Sequence, residues 1–219
     1  AIAEGLKTSR EVYIMTPASL KTNFMHEIKK CGDVLYKYNN HWTFVKTQDI
    51  IDEEKNSGNE VTEDEVNANL AKALSLTRKY VADMGGAWMV DAGKDENYTM
   101  GLSDSEKAEV NAQIEKMIEA KYYFIHYNGL QEGSENKLNR GRNIAGGVNP
   151  FDNKVIIIEE SHNLVGMITN KLSDKTPPEK SITMKIYNWL LAAKNVRIIM
   201  LSGTPMINYP NELAIMFNI

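Results

Sequence analysis

The stretch V-I-I-I-E-E-S-H, Val155 to His162, places two adjacent carboxylates, a small residue and a histidine directly after four apolar residues. A continuously apolar run of this length suits a strand buried on both faces of a parallel sheet. Ligands of such sheets bind beyond the carboxyl ends of the strands, so Glu159 and Glu160 would stand on that rim. Neighbouring carboxylates there can divide metal-assisted hydrolysis between them. One holds Mg2+ through its waters, and the other orients and deprotonates the attacking water. Taken alone, the same run is an ordinary strand end with solvated acids. A second stretch, V-R-I-I-M-L-S-G-T-P-M-I-N-Y-P-N-E from Val196 to Glu212, is another buried strand, here running into S-G-T-P. The hydroxyls of Ser202 and Thr204 can hydrogen-bond a neighbour such as His162, and Gly203 lets the backbone turn sharply at the rim.

The elements that must position these residues follow from periodicity. Four β-rich runs stand out: Glu11–Thr16, Tyr122–Tyr127, Val155–Glu160 and Val196–Ser202. Helical patterns lie between them. Ser19–Lys30 spaces Leu20, Phe24 and Ile28 four apart. Ser103–Ala120 opens with a capping box from Ser103 to Glu106, and Ile182–Ala193 repeats the spacing at Ile182, Ile186 and Leu190. Strands alternating with helices predict an α/β, doubly wound sheet. Residues 52–102 are the least sheet-like and read as an insertion, with a helix over Glu63–Ala82 and a loop over Gly85–Met100 around Trp88. Gln131–Pro150 contains G-R-N-I-A-G-G without the Lys-Ser/Thr of a phosphate-gripping loop and reads as a flexible connection. Ala1–Leu6 reads as the tail of a helix, and Glu212–Ile219 is an amphipathic run without a stop signal. Both ends therefore look cut, and the chain reads as a fragment.

With 219 residues and 42% hydrophobic side chains, the chain can bury a real core, which excludes a disordered tail or a disulfide scaffold. A single cysteine, Cys31, fits a reducing compartment, and with four scattered histidines it argues against a structural zinc. No apolar run approaches the roughly 18–20 residues of a membrane span, so a soluble, intracellular-type protein with no membrane partner is expected. The net charge of −4 argues against a general nucleic-acid binder. Its distribution is uneven: residues 52–120 hold 16 acidic and 7 basic side chains, whereas the rest holds 13 and 18. That is either a solvated helical face or an acidic subdomain held away from a polyanion that the framework touches. Trp42, Trp88 and Trp189 read as core or subdomain anchors, and Trp88 is the best of the three for base stacking.

V-I-I-I-E-E-S-H resembles the D-E-x-H box, motif II, of helicase superfamily 2. L-S-G-T-P-M-I-N-Y-P-N-E-L is similar to that superfamily's motif III in its SWI/SNF-like form. I-M-T-P-A-S-L-K-T-N-F-M-H-E, Ile14 to Glu27, resembles motif Ia, and F-I-H-Y-N-G-L, Phe124 to Leu130, has the place and character of motif Ib. The wording is closest to the poxvirus-type ATPases of large cytoplasmic DNA viruses. The resemblance implies a RecA-like parallel sheet, the first motor domain of an ATP-dependent helicase or translocase in viral transcription or DNA processing. ATP and Mg2+ would be its cofactors and a nucleic acid its partner, DNA favoured over RNA, with viral RNA polymerase or transcription factors as further partners. It would work in the host cytoplasm or the virion.

Roles carry over by position. Glu159 stands where the family has the Asp of the Mg2+ shell, and Glu160 matches the general base. His162 matches the residue that couples the nucleotide site to motif III through Ser202, Gly203 and Thr204. Thr16, Pro17, Ser19 and Asn23 match the backbone grip of motif Ia; His126, Tyr127 and Asn128 match motif Ib. Two departures stand out. Glu159 is one methylene longer than Asp, and no G-x-x-x-x-G-K-[ST] occurs in these residues. In the family that loop precedes a helix ending like A-I-A-E-G-L, so the resemblance places it before Ala1 and a second motor domain after Ile219; the chain alone should not hydrolyse ATP efficiently. The rival expectation is a non-catalytic interaction module with a degenerate helicase fold, its acidic segment docking a polymerase or another factor.

Overall fold

In chain order the regular elements are β1 (Val12–Met15), α1 (Lys21–Cys31), β2 (Trp42–Lys46), α2 (Thr47–Asn56), α3 (Glu63–Leu74), α4 (Arg78–Met84), β3 (Gly86–Val90) and α5 (Asp104–Lys121). There follow β4 (Tyr122–Ile125), β5 (Val155–Ile158), α6 (Ser161–Ser173), α7 (Ile182–Ala192), β6 (Arg197–Met200) and α8 (Asn211–Asn218). The structure is a computed structural model that describes residues 10–131, 133–140, 148–173 and 181–219. The helix tail expected at Ala1–Leu6 and the G-R-N-I-A-G-G sequence lie outside these residues. The chain divides into two units, residues up to Thr22 with Tyr122–Ile219, and Asn23–Lys121. The segment 52–102 lies inside the second.

The first unit is built on a four-stranded parallel sheet in the order β4-β1-β5-β6. All four residues of β1 and of β5 are buried, as continuously apolar central strands must be. Pairing is in register throughout: Val12 sits opposite Tyr122 and Val155, and Val155 opposite Arg197. The four strands therefore end level, at Ile125, Met15, Ile158 and Met200. Leu164, Val165 and Ile168 of α6, Ile186 and Leu190 of α7 and Ile215 of α8 join Tyr13, Met15, Ile156 and Ile158 in one core. This is the α/β architecture expected, a parallel sheet flanked by helices as in a RecA-like motor domain. Each of the four anticipated strands is present, trimmed by one or two residues at its ends. Helix α6 was not among the anticipated elements; Gly166 and the β-branched Val165, Ile168 and Thr169 mask its periodicity.

The second unit packs α2–α4 against a two-stranded antiparallel sheet. Its apolar cluster joins Val66, Leu70, Ala71 and Val81 with Ile50, Ile51, Val61 and Met89. The capping box at α5 forms as expected: the Ser103 N–H donates to Glu106 Oε2 at 2.8 Å, and the Glu106 N–H to Ser103 Oγ at 3.3 Å. Thr62 and Glu65 build a second box at the start of α3. Two expectations are corrected here. The helix over Glu63–Ala82 is two helices, because Ser75 turns left-handed (φ 56°) and Thr77 caps the next start through its hydroxyl. Short hydroxyl side chains compete with helical backbone bonds in this way. Gly85–Met100 is not all loop, since Gly86–Val90 is strand β3, paired with β2 from Trp42 opposite Val90 to Lys46 opposite Gly86. The two strands are joined by three helices and no hairpin turn, so nothing local announces the pairing. Gly86 allows the close approach, as a Cβ there would lie 2.2 Å from the Val45 carbonyl oxygen.

Trp88 is buried, and its indole N–H donates to Glu109, so it is an anchor and not a stacking platform. The buried side-chain amide of Gln113 takes the place of a further strand against it. The Trp88 N–H donates to Gln113 Oε1 at 2.9 Å, and Gln113 Nε2 donates to the Trp88 carbonyl at 2.7 Å. Among the described residues no helix is long and apolar enough to cross a membrane. Replacing Gln113 with Leu strips both backbone groups of Trp88 of these partners, at about 1–3 kcal/mol for each buried group left unpaired. The expected result is a lowered urea midpoint, and an unchanged midpoint would show that this amide pair contributes nothing.

Candidate functional site

The strand ends at Ile158, but its ladder runs one residue further: the Glu159 N–H donates to the Met15 carbonyl at 2.8 Å. The chain then turns at Glu160 through φ 50°, a left-handed conformation that non-glycine residues seldom adopt. The Ser161 N–H donates to the Leu201 carbonyl and the Leu201 N–H to the Ile158 carbonyl, both at 2.9 Å. The ends of β5 and β6 are thereby fastened to each other, with α6 starting between them.

These bonds bring the residues singled out around motifs II and III into contact. His162 Nδ1 lies 2.9 Å from Ser202 Oγ, 3.3 Å from Glu160 Oε2 and 3.4 Å from Thr204 Oγ1. The Thr204 N–H donates to Ser202 Oγ at 3.1 Å. With a proton on Nδ1 the ring donates toward the carboxylate or Ser202; without one it accepts from a hydroxyl. One imidazole thus lies between the Glu160 carboxylate and the S-G-T-P turn. Burial, reinforced by the negative charge of Glu160, pushes the Glu159 carboxyl above the usual carboxylate range. Ser161 Oγ between them is buried, with no hydrogen-bond partner among the described residues. Gly203 corrects one expectation. It is exposed, its φ is not positive, and a Cβ there would meet nothing within 4 Å, so the turn does not require glycine.

The other half of the rim is formed by β1 and β4, joined past their ends by the Thr16 N–H to the Ile125 carbonyl at 2.9 Å. Thr16 is buried, and its carbonyl oxygen lies 3.4 Å from His126 Nδ1. Ser19 is exposed in the 3-10 turn Ala18–Leu20 that follows Pro17 and leads into α1. Within that turn the Leu20 N–H donates to the Pro17 carbonyl at 3.0 Å. Asn23 is exposed on α1, as the first residue of the second unit. His126 is half-buried and Asn128 exposed. Tyr127 is wholly buried, so its side chain does not face a ligand. Its hydroxyl instead lies 2.9 Å from the Glu159 carbonyl oxygen and 3.0 Å from that of Glu160.

Sequence reasoning missed that inward role, and it missed Glu212. This buried carboxylate accepts from the Ile207 N–H at 2.8 Å, the Asn208 N–H at 3.1 Å and the Asn208 side-chain amide at 3.3 Å. It closes the loop that follows S-G-T-P. The signal was present as an acid in the first turn of a helix, just after N-Y-P-N, where the macrodipole also favours negative charge.

Among the described residues no group of three or more His, Cys, Asp or Glu is placed to hold a metal. The two carboxylates fit Mg2+ all the same, because this ion keeps most of its waters and binds through one or two carboxylates plus substrate phosphates. Glu159, half-buried beside a like charge, is the group that a cation would relieve.

No family model matches the chain, and no solved structure matches it. It is 35% identical over 80 residues to the "Termination factor NPH-I homolog" of African swine fever virus, in several isolates; the match covers 36% of this chain and 11% of the viral protein. It is 36% identical over 67 residues to a protein of Acanthamoeba polyphaga mimivirus named as an ATP-dependent RNA helicase, covering 29% of this chain and 8% of that protein. The chain thus spans about a tenth of the relatives it matches. Within that span its relatives are helicase-like proteins of large DNA viruses.

Hydrogen bonds from the chain, that of the Ile207 N–H foremost, hold the Glu212 carboxyl below its ordinary value. A carboxyl depressed in the folded state stabilises above its unfolded pKa and loses that stabilisation as pH falls through the folded value. The difference in melting temperature between the protein and Glu212→Gln should therefore be full at neutral pH and shrink below about pH 4.5. A difference that stays constant from neutral pH down through that range would mean that the carboxylate charge is not what holds the loop.

Proposed function

We propose that this chain forms part of the first motor domain of a nucleic-acid-stimulated ATPase, a helicase or translocase of a large DNA virus that serves transcription or DNA processing. The observation that carries the reading is the contact of His162 with Glu160, Ser202 and Thr204 at the level ends of adjacent parallel strands. Helicase-like relatives over about a third of the chain support it.

In this reading Glu160 is the base. Its carboxylate orients a water against the γ-phosphate of ATP and takes the proton as the water attacks. His162 holds that carboxylate from the side and senses it. Ser202 and Thr204, on the strand whose helix leads onward, pass the difference between an occupied and an emptied site to the S-G-T-P turn. Glu159 would hold a Mg2+ ion, which when bound would supply charge neutralisation of the phosphates. Pro17, Ser19, His126 and Asn128 grip a nucleic-acid backbone, with DNA preferred because the motif III wording is SWI/SNF-like and favours translocation.

In the full-length protein, Glu160→Gln should lower nucleic-acid-stimulated ATP hydrolysis by about 100-fold or more, the scale of a lost general base, with ATP binding retained. Hydrolysis at the unaltered rate would remove Glu160 from that role. Running the assay with duplex DNA and with single-stranded RNA decides the preferred polymer.

A second reading has one observation in its favour. Helices α2 and α3 border an apolar groove of about 290 Å3, lined by Ile50, Val61, Val66 and Leu70 with Glu54 at its edge. Residues 47–74 carry eight acidic and two basic side chains. Such a surface suits a basic amphipathic helix of a transcription protein. A leucine–lysine model helix should bind the full-length protein in a salt-sensitive manner and lose affinity with Ala73→Arg at the exposed lip. Binding indifferent to Ala73→Arg sinks this reading.

A further inference from the structure

Tyr127 belongs to the segment that the sequence assigns to nucleic-acid contact, yet its side chain points the other way. The residue is fully buried and opens the one-turn helix Tyr127–Gly129 directly after His126. Its hydroxyl lies 2.9 Å from the Glu159 carbonyl oxygen and 3.0 Å from the Glu160 carbonyl oxygen. Those two carbonyls belong to the peptide units on either side of the Glu160 Cα. The orientation of the first sets φ of Glu160, and that of the second sets ψ. One hydroxyl therefore clamps both torsions of the residue that carries the left-handed turn. The Asn163 N–H, donating to the Glu160 carbonyl at 2.9 Å, closes the same turn from the helix side.

A left-handed conformation at a non-glycine residue persists only where its surroundings hold it. The donor that spans both peptides here is tied covalently to His126 and Asn128, and His126 in turn lies 3.4 Å from the Thr16 carbonyl oxygen at the other backbone-gripping segment. We infer that Tyr127 is a positioning residue that sets the backbone of Glu160 and makes hydrolysis respond to a polynucleotide backbone bound at residues 126–128. The inference rests on the reading of Glu160 as the base. A shift of that segment moves the hydroxyl, and a moved hydroxyl turns the Glu160 carboxylate toward or away from the attacking water. Misplacement by about an ångström can change a rate by roughly 100-fold.

The experiment uses the full-length protein with Tyr127→Phe, which keeps the buried ring and removes only the hydroxyl. ATP hydrolysis is measured alone and with a random-sequence DNA duplex or single-stranded RNA, beside ATP binding and nucleic-acid binding. The expected result is a fall in stimulated kcat of about tenfold to 100-fold, with KM for ATP and nucleic-acid affinity unchanged and the ratio of stimulated to unstimulated rates falling toward one. A merely structural role would lower stability and leave that ratio intact, and this outcome overturns the inference while leaving Glu160 as the base. Should the variant fail to fold, amide exchange in the unaltered protein decides. Exchange across residues 159–163 should change when nucleic acid binds, and an unchanged pattern overturns the inference. An unaltered protein that hydrolyses ATP without response to either polymer overturns both this inference and the proposed function.

Discussion

The burial of β5 is the constraint on which the rest of the site depends. Every side chain from Val155 to Ile158 is shut away from solvent, and strands on both sides pair with it in register. A shift of one residue would turn those side chains to the opposite faces of the sheet, so Ile158 has one place, level with Met15 and Met200. Glu159 and Glu160 are the next two residues, and their position follows from the apolar run before them. At roughly 1.5–3 kcal/mol for each fully buried aliphatic side chain, that run supplies what two neighbouring carboxylates could not supply for themselves.

What burial fixes, the local backbone and charge oppose. Glu160 sits in a conformation that costs an L-residue about 1–2 kcal/mol, and Glu159 is driven toward its protonated form by burial and by the charge next to it. Both features are held in place from outside: by the Tyr127 hydroxyl, by the Asn163 N–H, and by His162 at 3.3 Å from the Glu160 carboxylate. Strain and like charge are gathered here on adjacent residues, with contacts from Tyr127, Asn163 and His162 converging on Glu160, and it is this combination that singles the strand end out as the candidate site.

How much of this was legible depended on whether the signal was local. The four parallel strands were visible because each is a short apolar run bounded by polar residues, and the Ser103–Glu106 capping box because its two members are three residues apart. The convergence of His162, Ser202 and Thr204 was legible as residue types at two strand ends, and the pairing of β5 with β6 turned that into contact. The β2–β3 pair was not legible, since its register joins Trp42 to Val90 across three helices. Nor was the break at Ser75, where a polar residue took the left-handed turn usually left to glycine. Tyr127 was matched by resemblance to the nucleic-acid contact of motif Ib, together with His126 and Asn128. Its burial goes with the sheet order, which sets β4 beside β1, and the second residue after the strand turns inward to the Glu159 and Glu160 carbonyls.

The division of charge follows the division of the fold. Asn23–Lys121 carries nineteen acidic and twelve basic side chains; the remainder, which holds the four-stranded sheet and every candidate site residue except Asn23, carries ten and thirteen. Screening at physiological salt reaches about 8 Å, so a polyanion is repelled near the surface of the first group and tolerated near that of the second. A surplus of three positive charges is nevertheless far from the dense basic face of a protein that binds nucleic acid by bulk attraction. A polyanion meeting the rim at Pro17, Ser19, His126 and Asn128 would therefore be held by a few placed donors: a hydroxyl, an imidazole and an amide. Contacts so few would form and break readily, where a dense basic face would resist release.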